Sequence, residues 1–362
     1  MKNSNVLELC LAHGLGGLEM FVASCYEEFS QKTTCKVVVA PDTKLDNYLM
    51  VADKFHIKRN KLFPFFPAWK LARYIDEQEI DIVHFHWTKD IITAVLAKLF
   101  SKRKPKLVQS RHMGMTRFKN DFYHKWLYKN IDMMHAVTQD VANQLKKFIP
   151  FRVRPQIEMI YLGVKVPKIE SAKVAELKNR YGLTDKFVVG IVGRIEEGKG
   201  QYKVLEALEK LQNANIKAVI VGAFMNDIYK KELQLLLEEL GIKEQVIFTG
   251  FTKDVNEHMQ LFDVNILATE NETFGLVVIE AMANKVPIIA TNRGGPTEII
   301  EDGIDGMLFD GSSDDLAQKI DMLYKSQKLK EALVERAFLK VTKQFDYTKQ
   351  LEKLYKSIHE CK

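Results

Sequence analysis

Along the whole chain, short apolar runs alternate with segments whose apolar residues recur every three or four positions, the pattern of parallel strands covered by helices. In the first half it predicts strands over 6–12, 36–40, 82–85, 107–110, 133–138 and 157–160. Leu18, Phe21, Val22, Cys25 and Phe29 share one face of a helix over 18–29, and a second helix covers 91–100. A polar stretch over 163–186 interrupts the alternation, which then starts afresh. Strands at 187–192, 218–221, 246–248, 264–267 and 287–290 alternate there with helices at 202–211, 227–240, 255–262, 274–283 and 296–301. The pattern predicts two α/β domains, 1–168 and 169–345, each a doubly wound sheet that binds ligands beyond the carboxyl ends of its strands. Neither an internal repeat nor a low-complexity segment is present.

Composition narrows the class. A chain of 362 residues is long for one core, and 46% hydrophobic with 28% charged residues is ordinary for a globular protein. No apolar run approaches the ~20 residues of a spanning helix. The start M-K-N-S-N-V-L-E-L-C-L-A-H-G carries Glu8 among its apolar residues and reads as a first strand, not a secretion signal, so a cytoplasmic location is expected. Cysteines 10, 25, 35 and 361 show no zinc-type spacing and are expected to be reduced packing or surface residues, with no metal. Net charge is +6, but residues 1–168 hold 27 cations against 16 acids (+11) and residues 169–362 hold 26 against 31 (−5). The basic half should face something anionic. No finger, zipper or RNA-binding signature accompanies it, which leaves a membrane surface or a lipid-linked phosphate rather than nucleic acid.

The candidate chemistry centres on E-N-E-T-F-G-L-V-V-I-E-A-M-A, residues 270–283. A helix beginning near Phe274 would place Glu272 and Glu280, eight positions apart, about 12 Å from each other, the reach from a hexose to the ribose of a nucleotide sugar. Amides of Phe274, Gly275 and Leu276 at that helix start suit a phosphate. Glu280 rides an apolar face, where a carboxylate needs hydrogen-bond donors such as vicinal hydroxyls. Either acid alone reads equally well as an ordinary helix glutamate.

The full stretch, continuing N-K-V-P-I-I-A-T-N-R-G-G-P-T-E-I-I-E-D-G, resembles the carboxylate signature of the family 4 glycosyltransferases of GT-B fold. That resemblance implies two Rossmann-like domains facing across a cleft, with the last helix, within 346–362, crossing back to the first. It implies a retaining, metal-independent transfer without a covalent enzyme nucleophile or cofactor, from a nucleoside diphosphate sugar to a hydroxyl of a glycan or lipid-linked acceptor. UDP-hexose or UDP-N-acetylhexosamine is the favoured donor, a GDP-sugar the other, and lipopolysaccharide, O-antigen or capsule precursors the expected products. Arg194 and Lys199 in V-G-R-I-E-E-G-K-G match the family's diphosphate-binding cations. Glu272 matches the residue on the sugar, Glu280 the one on the ribose, and His112 in Q-S-R-H-M-G-M a histidine on the transferred sugar. In H-G-L-G-G-L-E-M, Gly16 and Gly17 match the glycine loop over the diphosphate; the third glycine of a dinucleotide fingerprint is absent, which weakens an oxidoreductase reading. Phe251 and Thr252 fall in the loop that borders the base.

Other positions are less sharply assigned. Arg111 is an alternative phosphate contact, and Gly294–Gly295 before Pro296 and Glu298 either approach a ligand or are architectural. His84 and His86 in D-I-V-H-F-H-W are expected to alternate across a strand, so that both cannot face one ligand. Segments 54–73 and 117–129 interleave aromatics with Lys and Arg, which suits the inner face of a membrane, although buried aromatics beside a wet charged face would give the same pattern. A sugar-nucleotide epimerase of the same fold, or a non-catalytic membrane-associated partner in glycan assembly, would share much of this set.

Overall fold

The computed structural model describes residues 4–50, 53–60 and 63–361. Two compact units divide it, Met1–Leu162 with Thr348–Lys362, and Gly163–Tyr347. The first unit is built on seven parallel strands: β1 (Val6–Cys10), β2 (Cys35–Val39), β3 (Lys54–His56), β4 (Ile82–Phe85), β5 (Lys106–Arg111), β6 (Met133–Ala136) and β7 (Gln156–Met159). They lie in the order β3-β2-β1-β4-β5-β6-β7. Strands β1, β4 and β6 are buried along their whole length, which is why they read as near-continuous apolar runs rather than as alternation.

The second unit repeats the scheme with β8 (Phe187–Val192), β9 (Ile216–Val221), β10 (Val246–Gly250), β11 (Val264–Leu267), β12 (Ile288–Thr291) and β13 (Met307–Phe309). Their order is β10-β9-β8-β11-β12-β13. Its core joins Val189, Ile191, Val204, Leu205, Ile220, Leu233, Ile266 and Phe309 from the sheet and the helices over it. The strand order reverses between β1 and β4 in one unit and between β8 and β11 in the other. Such switch points leave a crevice at the carboxyl ends of the flanking strands, and the candidate residues leave those ends.

The fold is that of the GT-B glycosyltransferases, and the predicted elements are present with ends shifted by one to three residues. Two short strands, β3 and β13, and the helices Lys44–Tyr48, Phe65–Glu77, Phe122–Lys129, Gln139–Phe148, Ser313–Lys325 and Gln327–Gln344 have no counterpart in the sequence reading. The closing helix runs Tyr347–Glu360. Among the described residues no helix is long and apolar enough to cross a membrane. All four cysteines are free and buried.

Candidate functional site

In the second unit the site is assembled at the switch point. Beyond β8 the chain turns through Gly193, Arg194 and Ile195 into the short turn Glu197–Lys199 and the helix Gln201–Leu211. Beyond β11 it passes through Thr269, Glu270 and Glu272 into the helix Leu276–Ala283. Lys199 Nζ lies 3.2 Å from Glu272 Oε2, joining the two loops, with both side chains partly exposed. Arg194 reaches outward and pairs with Glu196 at 2.9 Å, while Gln201 Nε2 donates to the Arg194 carbonyl at 2.9 Å and fixes that turn. Each cation thus carries a carboxylate that an incoming anion would displace. Partly exposed pairs of this kind are worth only about 0–1 kcal/mol, so the exchange is inexpensive.

The helix begins two residues later than the sequence pattern suggests. Gly275, not Phe274, is the residue before its first turn, with φ of +92° that favours glycine. Gly294 and Gly295 serve the same loop rather than a ligand. A Cβ on Gly294 would stand 2.3 Å from the Glu272 carbonyl oxygen, and one on Gly295 2.4 Å from Phe274 Cα. The Gly295 amide donates to the Glu272 carbonyl at 2.9 Å. Of the two readings left open for this pair, the architectural one holds: the glycines let one backbone press on another and hold Glu272 in place.

Glu280 lies on this helix beside buried Ile279, Ala281 and Ala283, itself only partly exposed. Among the described residues no donor reaches its carboxylate, and burial alone raises its pKa to about 7. The backbone of the same turn is satisfied, since the Asn284 amide and side chain both donate to the Glu280 carbonyl. A half-buried carboxylate that no protein donor reaches is a site for hydroxyl donors. Phe251 is 70% exposed on the loop after β10, and the Thr252 hydroxyl accepts from the Asp254 amide at 3.0 Å.

In the first unit Gly16 precedes the helix Gly17–Phe29, and its amide donates to Glu19 Oε2 at 2.9 Å. The Gly16 amide is therefore already bonded to an acid of the protein itself, which an incoming phosphate would have to displace. Arg111 is buried and fully engaged, donating to Met113 O at 2.7 Å, Thr88 Oγ1 at 2.8 Å and Gly114 O at 2.9 Å. It holds the loop that carries His112 and is not a free phosphate contact. His84 and His86 do not alternate. Residues two apart share a strand face, and both bond one carboxylate, Glu8, at 3.0 and 2.6 Å.

Sequence reasoning missed Glu8 as a site residue, although an acid inside an apolar strand was the signal. It also missed Lys203, whose largely buried ammonium stands 3.5 Å from Glu270 at the edge of the Lys199–Glu272 pair.

Comparison with known proteins agrees with this arrangement. The model of "Glycosyl transferases group 1" matches residues 174–340, and that of "Glycosyltransferase Family 4" matches residues 15–166. N-acetyl-alpha-D-glucosaminyl L-malate synthase of Bacillus anthracis is 28% identical over 301 residues, 80% of this chain and 77% of that protein. A Campylobacter jejuni relative is 25% identical over 64% of this chain and 60% of its own length. It is named N-acetylgalactosamine-N,N'-diacetylbacillosaminyl-diphospho-undecaprenol 4-alpha-N-acetylgalactosaminyltransferase. Among solved structures, Anabaena HepE in complex with UDP and glucose superposes with a TM-score of 0.88 at 20% identity, over 99% of this chain and 100% of that one. The likeness to that structure shows the GT-B fold, and with both halves matched by glycosyltransferase models the chain belongs to the family 4 glycosyltransferases.

Proposed function

We propose that this glycosyltransferase is a retaining, metal-independent enzyme that moves a hexose or N-acetylhexosamine from a UDP-sugar to a hydroxyl of a lipid-linked surface glycan. The observation that carries the reading is Glu280, a half-buried carboxylate without a donor from the protein, eight positions after an acid already paired with a cation from the neighbouring loop. Ribose hydroxyls satisfy Glu280. The diphosphate takes Lys199 and Arg194 from their carboxylates, with the amide of Gly275 beside it, and Glu272, so released, accepts from sugar hydroxyls. Phe274 and Leu276 shape this loop, Phe251 and Thr252 border the base, and His112 contacts a hydroxyl of the transferred sugar. Charge leaving with the diphosphate is offset by the two cations, so the work is positioning and electrostatic stabilisation. Attack on the same face as departure, with the diphosphate oxygen receiving the acceptor proton, gives retention. UDP is supported by the ligand named with HepE, and a lipid-linked acceptor by the name of the Campylobacter relative.

Membrane contact belongs to the same reading. Phe63, Phe65, Phe66 and Trp69 stand exposed with Lys70 and Arg73 at the start of the helix Phe65–Glu77; Lys61 and Leu62 of that segment lie outside the described residues. Phe122 and Phe151 are 86% and 84% exposed on segments that pack together, near Lys125, Arg152 and Arg154. Phe118 and Tyr123 are exposed as well, whereas the partly buried Phe55 stacks on Tyr74 and Tyr128 is buried. Exposed aromatics ringed by cations suit an anionic leaflet.

Three outcomes are expected. Lys199→Ala and Glu272→Ala should each lower transfer by two or more orders of magnitude with unchanged thermal unfolding; normal release of nucleoside diphosphate in the presence of acceptor membranes by both variants would show the roles misassigned. Hydrogen bonds from ribose favour ionised Glu280, so binding lowers a pKa that starts near 7 and releases a proton. Donor affinity, measured calorimetrically with a nucleotide sugar, should therefore rise up to about tenfold per unit from pH 6 towards 7 and level off above 8. Glu280→Gln should bind more weakly and without this slope, whereas a slope identical to wild type would locate the proton elsewhere. Sedimentation with anionic vesicles should decline as salt is raised and be weakened by Phe122→Glu with Phe151→Glu; equal sedimentation with neutral and anionic vesicles contradicts the docking surface.

A further inference from the structure

Beneath the helix Gly17–Phe29, one face of the first sheet carries a row of buried polar groups. Glu8 of β1, His84 and His86 of β4 and its end, Ser110 of β5 and His135 of β6 are at most 1% exposed. The pairing register sets them side by side, Glu8 opposite His84 and Ser110 opposite His135. Phe21 packs against the rings of His86, His112 and His135, and Phe29 against His84.

Hydrogen-bond direction through this row is fixed from one end. The Ile160 carbonyl can only accept, so His135 Nε2, 2.7 Å away, carries a proton. Burial lowers the pKa of His135 to about 3, so the ring is neutral and its Nδ1 accepts from Ser110 Oγ at 2.7 Å. Ser110, having given its proton, accepts from His84 Nε2 at 2.8 Å. One proton then remains between His84 Nδ1 and Glu8 Oε1 at 3.0 Å. Burial works to raise the Glu8 pKa, but His84 and then His86 more than reverse it, so this acid is a carboxylate. Its other oxygen takes the Nε2 proton of His86 at 2.6 Å. Burial, and then the charge of His84, lowers the His86 pKa to about 4, so Nδ1 of that neutral ring is a bare acceptor. It is buried and has no partner.

The neighbouring ring supplies the complement. His112 lies against His86 with ring centroids 5.8 Å apart and planes inclined by 26°. Its Nε2 is likewise buried without a partner, and Nδ1 is not among the buried atoms. An in-line bond between two imidazole nitrogens puts centroids roughly 5 Å apart, close to the separation of these two rings. Buried orphans are costly, and one hydrogen bond satisfies both.

We propose that Glu8, His86 and His112 form a relay in which His112 Nε2–H donates to His86 Nδ1, leaving the accessible Nδ1 of His112 as a bare acceptor for a sugar hydroxyl. Glu8 and His86 are positioning residues here; only His112 touches substrate. That the partner is a sugar hydroxyl rests on the transferase reading, whereas the tautomer is a property of the free protein. A grouping of Glu8, Cys25 and His84 within 4.8 Å does not compete as a metal site, because Glu8 and His84 already satisfy each other and burial holds the Cys25 thiol protonated.

The test is a long-range proton–nitrogen correlation spectrum of the full chain labelled with 15N-histidine, with the His112 signals identified by their loss in His112→Gln. The expected result is a His112 ring protonated at Nε2 and bare at Nδ1 in the wild type, shifting towards the opposite tautomer in His86→Phe, which keeps the aromatic packing. A wild-type His112 protonated at Nδ1 overturns the relay, as does an unchanged His112 pattern in His86→Phe. The wild-type spectrum decides the matter even where a variant fails to fold. Absence of sugar transfer by a protein with the expected tautomer would count against the transferase reading alone.

Discussion

A half-buried carboxylate that the protein gives no donor is a poor anion, and Glu280 is in that condition. Ionising it costs free energy that the hydroxyls of an arriving ligand can return, which makes the helix Leu276–Ala283 a receptor and not simply a piece of core. The cations at the second switch point are already paired before a ligand comes. Lys199 has Glu272, Arg194 has Glu196 and Lys203 has Glu270. The site is a set of exchangeable ion pairs around one unsatisfied acid, and an anionic ligand carrying vicinal hydroxyls satisfies all of it at once.

Rigid backbone keeps those pairs in register. The Gly294–Gly295 turn presses on the Glu272–Phe274 backbone at distances that exclude a side chain, and Gln201 ties the Arg194 turn to the start of the next helix. The first unit uses a different device. There a chain of directed hydrogen bonds from the Ile160 carbonyl to Glu8 leaves no rotational or tautomeric freedom in three of its four histidines. Cations are paired with carboxylates in the second unit, while in the first the rings of His86 and His135 are kept neutral.

Much of this was legible in the residues. The alternation of apolar runs and amphipathic segments located both sheets because buried parallel strands have to be apolar on both faces. Glu272, Glu280, Arg194 and Lys199 stood out by chemistry and spacing along the chain, and of these Lys199 and Glu272 are in contact. What was not legible is tertiary. That Gly294 and Gly295 face the backbone of their own unit, that Glu19 occupies the helix start behind Gly16, and that Arg111 is consumed by three local acceptors depend on chain segments meeting in space. Strands β3 and β13 are three residues each, too short to carry periodicity. The misplacement of His84 and His86 was of another kind, because the two-residue repeat of a strand already puts them on one face.

The central claim is that Glu280 is held unsatisfied for the hydroxyls of a ribose. It is tested most directly by calorimetric comparison of UDP with its 2′-deoxy and 3′-deoxy analogues on the wild type and on Glu280→Gln. Loss of a hydrogen bond to a charged group is worth about 1.5–3 kcal/mol, so at least one analogue should bind the wild type about 10–100-fold more weakly, with the difference largely abolished in the variant. Equal affinity of all three nucleotides for the wild-type protein would contradict the account.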